Sequence, residues 1–351
     1  MTLNRPLLRR LLHRVLARGH VDLPRLASRE WVLCPAETAR TAPALHPAGA
    51  LDRVTAISPW EDRARVEAAV RGGPGDHAAT RAFEIEAVEL AGAWLYKGPA
   101  KDLRGQGPAR LFDPSLGPRR DVGTAHLVSC FAGSHYFGNF ISDALTLELL
   151  PEAPQERVVM RTKAYVHEPG YRALLGLPRP RQLDHARIGR LTLYEDFAQN
   201  SSKARRYRAL RARLRAALGD GPAAGPLVYL KRGATGEPRR VLNEAALEAM
   251  LAGMGFVTVE PAALEPDEIA RRSLGARLVV SVEGSHISHV LYSLADDGAL
   301  LVLQPPDRMA MHYKALTDCL GQRFGFVVGL PGAGGFTVDL PELAAMVERM
   351  A

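Results

Sequence analysis

Between positions 227 and 328, five short apolar runs alternate with segments of helical spacing, and no other feature of the chain limits the fold so tightly. The runs lie at 227–231, 256–260, 278–282, 299–304 and 324–328. They are mostly apolar and short, as strands are. Expected helices occupy 244–254, 266–274, 285–294 and 309–320, and a last one covers 341–350. A regular strand–helix alternation of this kind predicts a doubly wound parallel sheet.

An open parallel sheet binds ligands where strand C-termini meet the following loops. Three such loops carry polar residues. The first runs from Lys231 and Arg232 through Arg239 and Arg240 to Asn243 and Glu244. Cations leaving a strand at its C-terminal end can meet a phosphate, and a solvated basic loop is the plainer alternative. Asn243 suits the N-cap of the helix that follows.

The second loop is Glu283-Gly284-Ser285-His286, opening a predicted helix. Gly284 would let a ligand approach the backbone. The free N–H groups and dipole of a helix start favour an anion, by roughly 0.3–1 kcal/mol for the dipole alone. Ser285 adds a hydroxyl to that site, or simply caps the helix. His286 is placed to contact a base, ribose or phosphate. His289 follows three residues later, but no third ligand stands near enough in sequence to make a metal site of the pair. In the third loop, Gln304 precedes Pro305 and Pro306, which force an extended exit from the strand; Gln304 either reaches the ligand or belongs to a simple turn.

The first half is less regular. Between 21 and 121, short apolar runs broken by Gly and Pro suggest short strands and loops in no clear order. Beyond them the expected elements are a strand at 125–130, a helix at 139–150, strands at 157–160 and 187–194, and helices at 171–177 and 202–218. The chain of 351 residues predicts about two domains. We expect an N-terminal α/β domain over 1–218, a Gly/Pro/Ala linker at 219–226 and a nucleotide-binding domain over 227–335. The C-terminal helix at 336–351 would pack back on the first domain.

Net charge is +7, much of it from arginine, whose planar fork suits phosphate. That balance also permits nucleic acid or an anionic membrane. The basic helices at 3–16 and 202–218 lack the interleaved aromatics on which single strands stack, so nucleic acid is not expected as a partner. Neither half has a GxGxxG after its first strand, which argues against a dinucleotide dehydrogenase. The three cysteines, Cys34, Cys130 and Cys319, have no paired spacing and predict neither a zinc site nor a disulfide framework. No apolar run has the length of a membrane span or a signal-peptide core, so the expected location is the cytoplasm. The helix at 3–16, with leucines at helical spacing between arginines, either lies on an anionic membrane face or docks on its own domain, and docking is the plainer reading.

The ordered set Val228-Tyr229-Leu230-Lys231-Arg232, Arg240-Val241-Leu242-Asn243-Glu244, Gly255-Phe256, Glu283-Gly284-Ser285 and Leu303-Gln304-Pro305-Pro306 resembles the family 61 glycosyltransferases, which include bacterial capsular and surface polysaccharide enzymes. The resemblance implies a GT-B-like pair of Rossmann-like domains facing across a cleft. It implies a nucleotide-sugar donor, chiefly UDP-linked, transferred with inversion, without a metal or other cofactor, to a glycan or lipid-linked glycan acceptor. The donor side would comprise Lys231, Arg232, Arg240, Asn243, Glu283, Gly284, Ser285, His286 and Gln304. The segment from Gly133 to Asp143 looks like the family's acceptor-side motif, but Asn139 stands at the family's His position. Asparagine takes no proton at neutral pH, so Asp143 and His135 are the expected bases, with Glu283 third. Loss of the base altogether would leave a nucleotide- or polyanion-binding protein of the same fold.

Overall fold

The computed structural model describes residues 2–16, 21–219, 221–222, 225–233 and 237–351. The chain forms two compact units. The first contains 1–36, 78–166 and 178–202; the second contains 37–77, 167–177 and 203–351.

The second unit is built on a five-stranded sheet. Its strand order is Phe256–Val259, Leu227–Leu230, Ala276–Val282, Leu294–Gln304 and Arg323–Val328, every neighbouring pair parallel. This is the doubly wound order in which the first strand lies inside the second, and the connection reverses between Leu227–Leu230 and Ala276–Val282. The inner strands are buried on both faces, with Tyr229, Val280, Leu301 and Val327 among the core side chains, while the edge strand Phe256–Val259 exposes Val257. That burial is why the runs are mostly apolar.

The expected domain boundaries do not hold, because the chain enters the second unit three times. Residues 37–77 belong to it and extend its sheet edge: Leu45 donates to Phe324 O at 3.0 Å and accepts from Phe326 N at 2.9 Å. The helix Ser201–Leu218, assigned from sequence to the first domain, joins the second from Lys203 onward. Its buried Arg211 reaches Leu291 O at 3.1 Å and Asp296 Oδ1 at 2.7 Å. The final helix Leu340–Met350 does not return to the first domain. It buries Leu343, Met346, Val347 and Met350 in the core of the second, and Arg53 holds Glu342 at 2.7 Å. The linker expected at 219–226 falls partly outside the described residues.

The first unit is not a second parallel sheet. Eight of its described strands form a mixed sheet around two long antiparallel partners, Thr80–Ala91 and His185–Glu195. Parallel pairing is confined to the side formed by Arg120–Leu127, Arg157–Val159 and Arg181–Gln182. After the strand Arg120–Leu127 comes the helix Phe131–His135, then a π-helical turn over Phe140–Ala144. Such turns are rare and occur disproportionately at functional sites. Among the described residues no helix is long and apolar enough to cross a membrane.

Candidate functional site at the switch point of the parallel sheet

The two strands flanking the reversal point end at Leu230 and Val282. Ser281 ties those ends together, its hydroxyl donating to Leu230 O at 2.8 Å. The following residues diverge, because successive side chains on a strand point to opposite faces.

Lys231 turns away from the reversal point. Its ammonium donates to Glu248 at 2.8 Å, and that bond, ahead of burial, raises the Lys231 pKa. Arg232 turns into the reversal point. One nitrogen, Nη1, lies 3.3 Å from both Glu283 O and His286 Nδ1, and Nη2 donates to Glu237 O at 2.8 Å. Arg239 also donates to Glu283 O, at 3.3 Å. Its Nε lies 2.9 Å from Glu283 Oε2, but the pair is not aligned for a hydrogen bond. Both atoms are buried, and neither has a hydrogen-bond partner among the described residues. Arg308, from the third loop, pairs with the Glu237 carboxylate. Three guanidinium groups therefore converge on two carboxylates.

The electrostatics of this cluster are frustrated. Burial raises the Glu283 pKa, against the lowering pull of Arg239, Arg232 and Arg308. Burial, then the charge of Arg239, lowers the Arg232 pKa. Each charge costs desolvation that its partners only partly offset. An anion bound between the guanidiniums would relieve that cost.

Gly284 is the pivot. Its backbone lies at φ 151°, ψ 166°, a region occupied almost solely by glycine. A Cβ there would sit 1.8 Å from Arg232 Nη1 and 2.9 Å from Arg239 Nη1. The buried Tyr313 hydroxyl pins the turn by donating to Gly284 O at 2.9 Å. The guanidiniums thus lie against bare backbone.

His286, expected to contact the donor, is half-buried and spends both ring nitrogens on the protein. Because Ser281 donates onward to Leu230 O, its oxygen accepts from His286 Nε2 at 2.8 Å, leaving Nδ1 to accept from Arg232. Burial, then Arg232 and Arg239, bring its pKa down to about 3. His289 is buried elsewhere, with Nδ1 2.7 Å from the Tyr171 hydroxyl. The two histidines serve different partners and do not converge on one point.

Several expected ligand groups do other work. Asn243 clamps Val338 through two hydrogen bonds of 2.8 and 3.0 Å and makes no side-chain cap. Arg240 is exposed, and its carbonyl accepts from Phe336 N at 2.9 Å. Gln304 is fully buried and clasps Ala310 through both ends of its amide, shaping the loop that carries Arg308. Ser285 is exposed. The helix it opens is a six-residue 3-10 turn, Ser285–Val290, not the longer helix expected. The positive charge therefore comes from Arg232, Arg239 and Arg308, and not from a helix dipole. Arg239 and Arg308 belong to the loops singled out in the sequence, yet neither stood among the expected ligand residues.

Glu61 had no sequence signal at all. It lies in the segment 37–77, which the second unit takes up, and both its oxygens lie 3.0 Å from Met311 N. Burial raises its pKa, with Glu283 among the charges that add to the rise.

In the first unit, Asp143 lies on the π-helical turn, where its Oδ2 accepts from Asn139 Nδ2 at 2.9 Å and Ser142 Oγ at 3.0 Å. His135 ends the preceding helix, its ring 4.4 Å from that of Phe131 and tilted 31° to it. Its Nδ1 lies 2.9 Å from Phe131 O. A carbonyl only accepts, so Nδ1 carries the proton and Nε2 keeps a free lone pair.

Residues 137–302 match the family model described as Glycosyltransferase 61. The match takes in Asn139, Asp143, Arg232, Arg239, Glu283 and Gly284, while His135, Gln304 and Arg308 lie outside it. No curated protein matches the chain. The match identifies residues 137–302, a region that holds most of the parallel sheet, as a glycosyltransferase 61 domain, and with it the chain as a glycosyltransferase.

Proposed function

We propose that the chain transfers a sugar from a nucleotide donor, UDP-linked, with inversion and without a metal, in the synthesis of a bacterial surface polysaccharide. The observation that carries this reading is the convergence of Arg232, Arg239 and Arg308 at the switch point, beside buried polar atoms that lack hydrogen bonds. A diphosphate seated there would accept from Arg239 Nε, the one guanidinium nitrogen of the three groups that is buried without a hydrogen bond among the described residues. During transfer an acceptor oxygen attacks the anomeric carbon and the bond to the β-phosphate oxygen breaks. The leaving nucleoside diphosphate carries away the electron pair, and the arginines meet the charge that develops on it. The acceptor proton passes to a base. Asp143 is the first candidate, because it is oriented by two donors and lies within the family match. His135, with its free Nε2, is the second, and the unit that carries both would serve the acceptor. The reading places the reaction in the cytoplasm.

The test is thermal unfolding with UDP and UDP-sugars. A ligand at 100 times its Kd stabilises by about 2.7 kcal/mol, which for a region this size raises Tm by roughly 5–10 °C. Arg232→Ala and Arg239→Ala should each abolish the shift. A Tm unmoved by any nucleotide or nucleotide sugar would refute the proposal.

A further inference from the structure

The N-terminal helix Arg5–Leu16 is amphipathic, and its apolar face is turned outward. It docks on the first unit through Pro6, Leu7 and the less exposed Arg10, positions one helical turn apart on one side. Leu7 is buried against Ala91, Tyr96 and Leu116. Asn4 caps the helix, its Oδ1 accepting from Leu7 N at 3.0 Å, and Asn4 N donates to Leu111 O at 2.8 Å. The helix is therefore anchored independently of its main leucine stripe.

Leu8, Leu11 and Leu12, at i, i+3 and i+4, share the opposite face and are 36%, 41% and 55% exposed. A lone exposed leucine needs no explanation, but three on one face of an anchored helix leave the apolar stripe uncovered among the described residues. Phe112, 53% exposed, pairs with Leu3 in the short strand pair just before the helix and adds a fourth apolar side chain to this end of the unit. Charge identifies the occupant. The helix sequence RPLLRRLLHRVL holds no acidic residue, and Arg5, Arg9 and His13 are exposed beside the leucines. Arg9 spends part of its charge on Glu89. An outward leucine stripe edged by cations, with no carboxylate on the helix, matches an anionic lipid surface: leucines enter the acyl boundary and arginines meet the headgroups.

We propose that the chain binds anionic phospholipid bilayers through this face, with Leu8, Leu11 and Leu12 inserted and Arg5 and Arg9 at headgroup level. The inference is independent of the proposed donor site.

Co-sedimentation of the full chain with phosphatidylglycerol-containing and with pure phosphatidylcholine vesicles tests it. Binding is expected to the first and not the second. The triple variant L8S/L11S/L12S should lower the vesicle partition at least about tenfold, and Arg5→Gln with Arg9→Gln should weaken it several-fold at low salt. All five positions are exposed, and an unchanged Tm for Leu11→Ser alone provides a control on folding. Failure to bind phosphatidylglycerol vesicles would overturn the proposal, as would equal binding by the triple variant. So would a concentration-dependent dimer that the triple variant abolishes while the wild type ignores vesicles, which would make a second copy the occupant.

Discussion

Gly284→Ala places a methyl group where the Arg232 guanidinium now lies. Two costs follow. An alanine held at φ 151°, ψ 166° carries backbone strain of about 1–3 kcal/mol. The Cβ, 1.8 Å from Arg232 Nη1, also forces Arg232 out of its contacts with Glu283 O, His286 Nδ1 and Glu237 O. Hydrogen bonds to a charged group contribute about 1.5–3 kcal/mol each, and the long side chain recovers part of that in water. The sum is about 2–5 kcal/mol, a fall in Tm of roughly 5–20 °C for a unit of this size. Urea unfolding and a UDP titration check it, with binding expected to fall at least about a hundredfold. A double-mutant cycle separates the two costs. In an Arg232→Ala background only the looser 2.9 Å contact with Arg239 Nη1 remains, so Gly284→Ala should cost little beyond the backbone strain, leaving a coupling of about 1–2 kcal/mol. If Gly284→Ala unfolds at the wild-type temperature and binds UDP normally, the packing argument for this turn is wrong. If it costs the same in both backgrounds, the clash with Arg232 is not the cause.

Asp143→Asn should cut donor turnover with acceptor present by about 10²–10⁴-fold while leaving UDP binding intact, and His135→Gln should cut it less; a full rate in Asp143→Asn would move the base assignment elsewhere. Acid should destabilise the second unit. His286, folded with a pKa of about 3 against 6.5 unfolded, contributes stability that is complete above pH 6.5 and lost as pH falls toward 3, with a slope of at most about 1.4 kcal/mol per pH unit. His289 acts in the same direction. The raised carboxyls Glu61 and Glu283 act oppositely, helping below about 4.5 and losing that contribution as pH rises through their folded pKa. Chemical unfolding between pH 7 and 5 should therefore show a steeper loss in wild type than in His286→Gln, and parallel curves would contradict it. Asn243→Ala should lower stability by about 1–3 kcal/mol through the orphaned Val338 backbone groups and leave UDP affinity unchanged; a selective loss of affinity would restore Asn243 as a ligand group.

The second unit's sheet was largely legible because most of its strands are buried on both faces, the edge strand Phe256–Val259 excepted. Apolar runs with turn residues between them carry that information locally, and the expected strands match the observed ones to within a few residues. The long strand Leu294–Gln304 was read only from 299, since Asp296, Asp297 and Gly298 interrupt its apolar character. The three site loops were legible for the same reason, as the sheet topology fixes where strands end. Side-chain direction was not. Lys231 and Arg232 are adjacent, and only the pleat decides that Arg232 enters the site and Lys231 meets Glu248. Arg239 and Arg240 exchange expected roles likewise. The segment 37–77 carried no readable signal, because its pairing partners Phe324 and Phe326 lie far away in sequence. Glu61 was hidden with it.

That last pairing sets an order of events during synthesis. Leu45 bridges Gly325, so the segment 37–77 cannot complete the edge of the second unit's sheet until the chain has been made as far as Arg323–Val328. At about 5–20 residues per second, the strand edge formed by 37–77 waits roughly 15–55 s for its partner. A nascent chain stalled before Arg323–Val328 would leave that segment unpaired, with its backbone donors open to other chains. The protein is therefore one whose truncated products should need chaperone protection far more than the finished chain does.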